Sequence, residues 1–234
     1  MANNLRQWQQ LVARVVDVQL HDRDDRFIWS LHQNGMFTVR SMFRALTTNE
    51  VPHHHVIWKL KTPLKIKAFM WYLLKGVTLT KDNLARRRWK GSVRCCFCNL
   101  DETIQHLFFD CPNAKFIWRL VQVVFNLPMP LNVNDIFTNW LNGVNKKLRY
   151  QAWVGACATL WAIWLSRNDV VFNKAQVYVV FNKAQVFSSL QVIFRATHWI
   201  RFWALLQKEE GRPPIMSGCL ALEVAAMECF ASNG

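Results

Sequence analysis

Three cysteines and one histidine are spaced along residues 95–111 as a metal-binding set. Cys95 and Cys98 have two residues between them, and His106 and Cys111 follow further along the chain. A Cys-x-x-Cys pair forms a tight turn with both sulfur atoms on one side, and a later His/Cys pair can complete a tetrahedral shell. Soft sulfur ligands in a closed shell of this kind favour zinc and leave no open position for catalysis. The spacing therefore predicts a structural Zn²⁺ site.

A further cysteine, Cys96, makes the choice of ligands ambiguous. Only one residue separates Cys96 from Cys98, which is too few for an ordinary metal-binding turn, so we assign Cys95 and Cys98 as the first pair. The alternative is that these are ordinary buried cysteines beside an unrelated histidine. Four of the seven cysteines lie within residues 95–111, and this alternative gives no reason for their clustering. This clustering favours a metal site in a reducing compartment over a secreted disulfide scaffold.

The elements that carry His106 and Cys111 must change direction between these two ligands. Five residues of α-helix turn through about 500°, or about 140° net, so a continuous helix cannot point both side chains at one ion. Pro112 disfavours a helical conformation at the residue before it. We therefore expect a helix that ends near Asp110 and leaves Cys111 free to turn back toward the metal.

The rest of the pattern predicts a mainly α fold with an N-terminal β-hairpin and a zinc knuckle, in a small irregular helical domain. Apolar residues recur at helical spacing over most of the chain. Thr80 and Gly91 are start and stop signals for a helix over residues 81–90. Apolar residues alternate from Phe27 to Val39 on both sides of Asn34-Gly35, a pair that favours a type I′ turn. This alternation predicts the hairpin.

We expect four segments along the chain. They are an N-terminal helix and linker (1–25), a zinc-binding domain (26–125), a helical C-terminal extension (126–210) and a linker with a tail (211–234). Within the extension, residues 170–178 are repeated at 179–187 with only the last residue changed, Tyr178 to Phe187. Nine inserted residues rotate the downstream part of a helix by about half a turn. The duplication is therefore expected to loop out or to destabilise the end of the fold.

Positive charge is concentrated directly before the zinc motif. The net charge is +14, and residues 59–94 contain eleven lysines and arginines against Asp82 alone. Such a stretch predicts a polyanionic partner, RNA or DNA, because phosphate contacts release counterions; the alternative is a solvated helix face. The residues expected to contact phosphates are Lys65, Lys67, Arg86, Arg87, Arg88, Lys90 and Arg94.

The sequence lacks the signals of several other protein classes. The N-terminus has no apolar signal-peptide core, and the longest apolar run, residues 153–165, has 13 residues where a membrane-spanning helix needs about 20. We expect an intracellular protein, in the nucleus or the cytoplasm, without a membrane partner. A polymerase needs an aromatic-x-Asp-Asp element for two metal ions, and the sole Asp-Asp pair, Asp24-Asp25, has no such context. An RNase H or endonuclease site needs several well-placed carboxylates, and most of the 15 acidic residues lie in expected caps, turns and tails. We therefore predict that the chain is not an enzyme.

Several short motifs together resemble the reverse transcriptase zinc-binding domain, which lies at the C-terminal end of LINE-type (non-LTR) retrotransposon polyproteins and is abundant in plants. The motifs are Phe27-x-Trp29, Gly35-x-Phe37-Thr38-Val39, Trp58-Lys59, Pro63-x-Lys65-x-Lys67, the zinc ligands with Glu102 before His106-Leu107-Phe108, and Ile163-Trp164-x-x-Arg167-Asn168. Cys96 and the duplication depart from the family pattern.

The resemblance implies a non-catalytic module derived from a reverse transcriptase. Such a domain would help the polymerase to hold its RNA template or target DNA. The alternative is a structural or protein-interaction remnant of a retroelement polyprotein, whose zinc only holds the fold.

Overall fold

The structure is a computed structural model that describes residues 9, 12, 13, 16, 28, 29, 34–42, 54–172 and 183–231. The chain divides into two compact units, residues 1–50 and residues 51–234. Most of the predicted N-terminal helix and most of the duplicated segment lie outside the described residues. The four-segment division of the chain stays a prediction.

The predicted N-terminal hairpin is not supported by the described residues of the first unit, which contain no strand. A turn is present: Gly35 has φ +67°, and the Trp29 N–H donates to the Gly35 carbonyl oxygen over 2.8 Å. After this turn, residues 39–42 are helical. Thr38 and Ser41 cap this helical turn, because the side-chain oxygen of each accepts a hydrogen bond from the backbone N–H of the other. This capping starts a helical turn at Val39, so Val39 is not part of a strand.

The second unit is mainly helical, as the sequence predicts. Its α-helices, over the described residues, are α1 (His54–Lys59), α2 (Leu64–Leu74), α3 (Lys81–Arg86), α4 (Pro112–Phe125), α5 (Val133–Phe137), α6 (Lys146–Phe172), α7 (Lys183–Ala204) and α8 (Arg212–Ala231). A π-helix (His106–Asp110) precedes α4, and a 3-10 helix (Glu209–Gly211) precedes α8. A single antiparallel bridge, between Arg94 and Asp101, is the β-structure of the described part of the chain.

Helix α6 is the centre of the second unit. It packs against α7, which packs against α8, and α4 contacts both α7 and α8. On its other side α6 meets α2 and the π-helix through aromatic rings. The Phe69 ring of α2 lies 5.0 Å from the Trp161 ring of α6, and Phe108 of the π-helix lies 6.5 Å from Trp164. These contacts place the segment that carries His106 against the core of the unit.

Two helix boundaries differ from those expected. Helix α3 ends at Arg86 and not near residue 90, because Arg88 adopts a left-handed conformation with φ +66°. Residues 212–214, which the sequence assigns to a linker, form the first turn of α8. Proline is tolerated there because the first N–H groups of a helix have no intrahelical acceptor.

The C-terminal stretch Glu209–Ala231 is long and apolar enough, by length and composition, to cross a membrane. Core helices of soluble proteins pass the same test, and 22% of the most apolar window of this stretch is buried. The expectation that the chain has no membrane partner therefore stays a prediction.

Candidate metal centre

The first pair of candidate ligands lies in a tight turn. The Cys95 N–H donates to the Leu100 carbonyl oxygen over 2.6 Å, and the Asn99 N–H returns to the Cys95 carbonyl oxygen over 3.2 Å. Asn99 has φ +61°, a left-handed conformation that asparagine tolerates better than most residues. The Phe97 N–H donates to the Cys95 sulfur over 3.4 Å. The turn therefore fixes the Cys95 sulfur in place and turns Cys98 to the same side.

The second pair lies at the two ends of the π-helix. The Thr103 hydroxyl accepts the His106 N–H over 3.0 Å, and the Cys111 N–H donates to the His106 carbonyl oxygen over 2.7 Å. A π-helix has more residues per turn than an α-helix. The rotation about the helix axis between two side chains five positions apart is therefore closer to one full turn, and both side chains can face one ion. Cys111 then leaves the helical conformation with ψ 136°, and α4 begins at Pro112. The expected end of the helix at Asp110 is present, and the π-helix is an addition that the sequence did not indicate.

The structure brings the four predicted ligands together. Cys95, Cys98, His106 and Cys111 each offer one ligand atom, and these atoms all lie within 4.8 Å of one another. The Cys98 sulfur is 3.0 Å from His106 Nε2, and the Cys95 and Cys111 sulfurs are 4.0 Å apart. Zinc–ligand bonds of about 2.0–2.3 Å in a tetrahedron place the ligand atoms about 3.3–3.8 Å apart, so small movements of these side chains would complete the shell. The cluster can hold a metal ion, and Cys96 lies outside it.

The electrostatics of the cluster also suit a cation. The pKa of the Cys95 thiol lies below its ordinary value because the Cys111 side chain hydrogen-bonds to it. The pKa of Cys111 is raised by the same hydrogen bond and by burial, and burial raises the pKa of Cys98. Crowded thiols cannot all become thiolates without compensating positive charge. A divalent cation at the centre of the cluster would supply that charge.

The first turn of α3 is docked on the knuckle, which we define as residues 91–111. The Lys81 N–H donates to Glu102 Oε1 over 2.9 Å, and the Asp82 N–H donates to the Glu102 carbonyl oxygen over 3.2 Å. The Lys81 ammonium, which is buried, donates to the Arg94 carbonyl oxygen. These bonds hold the basic residues at the end of α3 beside the candidate metal centre.

The basic residues from the end of α3 to Arg94 are exposed, but some of them already bind other side chains of the chain. Arg86 hydrogen-bonds to Asn83 over 3.1 Å, and Arg94 lies 3.2 Å from Asp101. The remaining three side chains have no hydrogen-bond or ion-pair partner among the described residues: Arg87, Arg88 and Lys90. These three are the best-placed cations for an external anion.

The two predicted phosphate ligands of α2 interact with their own chain. The Lys65 ammonium lies 5.1 Å from the centre of the Trp161 ring, and the Lys67 ammonium donates to the Trp58 carbonyl oxygen over 3.0 Å. Helix α2 contacts α1, α5 and α6. Their proposed role in binding phosphates stays a prediction.

Comparison with known proteins identifies the segment that contains this centre. Residues 37–118 match the protein family described as zinc-binding in reverse transcriptase. Over 116 residues the chain is 33% identical to a protein of Arabidopsis thaliana that is named a ribonuclease H protein, and the similarity covers 47% of this chain and 18% of that protein. The chain thus matches less than one fifth of the length of this relative. No solved structure matches the chain.

Proposed function

We propose, on the premise that residues 37–118 form a reverse transcriptase zinc-binding domain, that this chain is a non-catalytic module that binds Zn²⁺ and RNA or DNA. The proposal places it inside the cell, in the nucleus or the cytoplasm, where nucleic acid is accessible. A LINE-type retrotransposon origin is part of the same proposal, from the motifs that the sequence shares with that group.

Zinc is the proposed ion because three thiolates and one imidazole favour it over harder cations. When bound, it would link the turn at Cys95–Cys98 to the end of the π-helix and leave no open position for a substrate. The four side chains are supplied by short, irregular elements, and such elements rely on a metal for much of their folding energy. A structural role follows from this geometry.

The observation that carries the nucleic-acid proposal is the docking of α3 on the knuckle. Hydrogen bonds from Lys81 and Asp82 fix this helix, so Arg87, Arg88 and Lys90 extend from a rigid base. Cations held in this way can contact successive phosphates without a large loss of conformational entropy. The ring of Trp89 between them is half-buried and packs on Gly91, so a base could reach only its exposed part.

A salt-titrated binding experiment tests the proposal. The affinity of the zinc-loaded chain for labelled single-stranded RNA and duplex DNA is measured by fluorescence anisotropy at several salt concentrations. Log affinity should fall against log salt with a slope of about −0.7 per phosphate neutralised on single strands and about −0.9 on duplex DNA. The variant Arg87→Ala/Arg88→Ala/Lys90→Ala should bind every sequence more weakly and with a shallower slope, since phosphate contacts carry no sequence information.

A matched control variant separates the effect of these three residues from the effect of net charge. The variant Arg119→Ala/Lys146→Ala/Lys208→Ala removes three exposed cations outside the basic segment and changes the total charge equally. It should retain most of the affinity and slope of the wild-type chain. Equal losses in both variants would mean that charge alone, and not this surface, determines binding.

A protein-interaction module is the second candidate function, and one observation favours it. Four large apolar side chains of α8 are exposed, Met216, Leu220, Val224 and Met227. Their spacing of three or four residues places them on one face of the helix. This second function would be favoured if the Arg87→Ala/Arg88→Ala/Lys90→Ala variant is folded and zinc-loaded and still binds nucleic acid with wild-type affinity and salt dependence.

A further inference from the structure

A buried ion pair joins the knuckle to helix α6 across 65 positions of sequence. Arg167 Nη2 and Nε donate to Glu102 Oε1 over 2.7 and 3.0 Å. Both side chains have an exposed fraction of 0%. Breaking such a pair on one side leaves an uncompensated buried charge, which is strongly unfavourable. The pair therefore specifies how α6 sits against the knuckle, whatever its net contribution to stability.

Glu102 occupies the base of the knuckle. It lies four positions after Cys98 and four before His106. Its N–H donates to the Val93 carbonyl oxygen over 2.9 Å, and its carbonyl oxygen accepts from Asp82. Its backbone thus links the two sides of the turn to each other and to α3, while its carboxylate binds Arg167 of α6. A shift of Glu102 would move the two ligand pairs relative to each other.

The carboxylate of Glu102 depends on Arg167 for its charge partner. Oε1 accepts from the Lys81 backbone N–H and from the Arg167 guanidinium. Oε2 is buried and has no hydrogen-bond partner in the described part of the chain. Without Arg167 the carboxylate would keep only the Lys81 backbone N–H as a hydrogen-bond donor, and it would be more stable in a position exposed to water.

Arg167 is itself held rigidly on α6. Its guanidinium lies 5.0 Å from the centre of the Trp164 ring and 5.4 Å from that of Phe172, and Nη1 donates to Asn168 over 2.9 Å. The Trp164 ring also packs against Phe108, two residues after the ligand His106. Helix α6 therefore reaches both halves of the metal centre, one through Glu102 and the other through Phe108.

We propose that Arg167 is a positioning residue for the metal centre, and that the functional zinc-binding unit extends beyond residue 118 to include α6. The segment that matches the zinc-binding family ends at residue 118, so Arg167 lies outside it. A metal site whose geometry depends on Glu102 depends in turn on helix α6 (Lys146–Phe172), which lies beyond the matched segment. This inference rests on the proposed binding of zinc.

The test compares zinc affinities of full-length variants by competition with a chromogenic chelator. Arg167→Lys keeps the charge but cannot place two donors on Oε1, and Glu102→Gln keeps the shape but removes the charge. Each should raise the Kd for zinc on the order of 10- to 100-fold, the range seen when groups that orient metal ligands are removed. The control is Arg195→Lys on α7, which alters a half-exposed ion pair with Asp169 of α6. This control should leave the Kd for zinc unchanged.

A second readout distinguishes positioning from general stability. By reciprocity, removal of zinc from the wild-type chain should weaken hydrogen-exchange protection in α6 around Arg167, and Arg167→Lys should diminish this response. Folded Arg167→Lys and Glu102→Gln variants with the wild-type Kd would overturn the proposal, and so would an equal loss in Arg195→Lys. A wild-type chain that binds no zinc would overturn the proposed function as well, whereas a variant-specific failure would leave that function intact.

Discussion

The knuckle and the bundle of α6, α7 and α8 are stabilised by different means. The knuckle has short turns, a left-handed Asn99 and a π-helix, and its four candidate ligands converge within 4.8 Å. The bundle buries large apolar side chains such as Leu160, Ile193 and Trp203 on long helices. Apolar burial contributes to stability in every ionic environment, whereas a ligand cluster contributes only when a cation is bound. Loss of metal should therefore have its largest effect in the knuckle and loss of core packing in the bundle, with the Glu102–Arg167 pair as the contact that links the two regions.

The largest expected effect comes from removal of one ligand. Cys98→Ser should abolish stoichiometric zinc binding and remove hydrogen-exchange protection from residues 91–115, because structural zinc sites supply about 10–16 kcal/mol in small domains. Elemental analysis and exchange mass spectrometry measure the two effects. Cys96→Ser is the matched control and should retain zinc. Zinc loss in Cys96→Ser, with retention in Cys95→Ser, would show that the register of the first ligand pair is wrong.

A cavity in the bundle should have a smaller effect, and it should affect the bundle more than the knuckle. Leu160→Ala removes a side chain with 0% exposure and should lower the free energy of unfolding by about 2–5 kcal/mol. Chemical denaturation followed by tryptophan fluorescence measures this loss. The folded variant should still bind zinc at the wild-type ratio. Loss of zinc from the folded variant would show that the knuckle depends on the core packing of the bundle and not only on the Glu102–Arg167 contact.

The smallest expected effect is a pH dependence within the bundle. The pKa of Glu223 lies below its ordinary range because Arg201 hydrogen-bonds to the carboxylate, with Thr197 as a further donor. A carboxyl group whose pKa is lowered by folding stabilises the protein above its unfolded pKa, and this contribution is lost as the pH falls through the folded value. Wild-type stability should thus decline below about pH 4.5, near the unfolded pKa of a glutamate.

Thermal unfolding of Glu223→Gln between pH 3 and pH 7 checks this expectation. The variant should be less stable than the wild-type chain at neutral pH, and the difference should shrink as the medium becomes acidic. Glu210→Gln, which changes an exposed carboxylate before α8, serves as the control. A constant difference across the pH range would contradict the assigned role of the Arg201 contact.

The convergence of the four candidate ligands was predictable because their signal is local. The spacing selects Cys95, Cys98, His106 and Cys111, and Pro112 indicates where the helix must end. The π-helix was not predictable in the same way, since its residues also satisfy an α-helical pattern. The Glu102–Arg167 pair could not be derived from periodicity, because its partners are 65 positions apart. Its only sequence signal was that both residues occur in the motifs shared with the family.

Two errors in secondary structure have a common cause. Alternating apolar residues predicted a strand up to Val39, but the mutual capping of Thr38 and Ser41 starts a helix instead. The start signal at Thr80 and the stop signal at Gly91 predicted a helix over residues 81–90, but the Trp89 N–H donates to the Leu84 carbonyl oxygen and the helix ends at Arg86. In both cases, hydrogen bonds at a chain turn outweigh the average preference of the surrounding residues.

If a bound metal ion organises the knuckle, the ion should protect its cysteine ligands from thiol alkylation. Cys157 and Cys219 of the bundle are buried, and burial raises their pKa to about 12 and about 11, so iodoacetamide should modify them slowly with or without metal. Cys98 is half-buried, so burial alone does not protect it.

The rate of alkylation at each cysteine is measured by mass spectrometry on the zinc-loaded chain, before and after treatment with a chelator. We expect Cys98 to be protected in the loaded chain. Chelation should make Cys95, Cys98 and Cys111 reactive, while Cys157 and Cys219 stay protected. Rapid alkylation of Cys98 in the presence of zinc, at a rate that chelation does not change, would contradict this expectation.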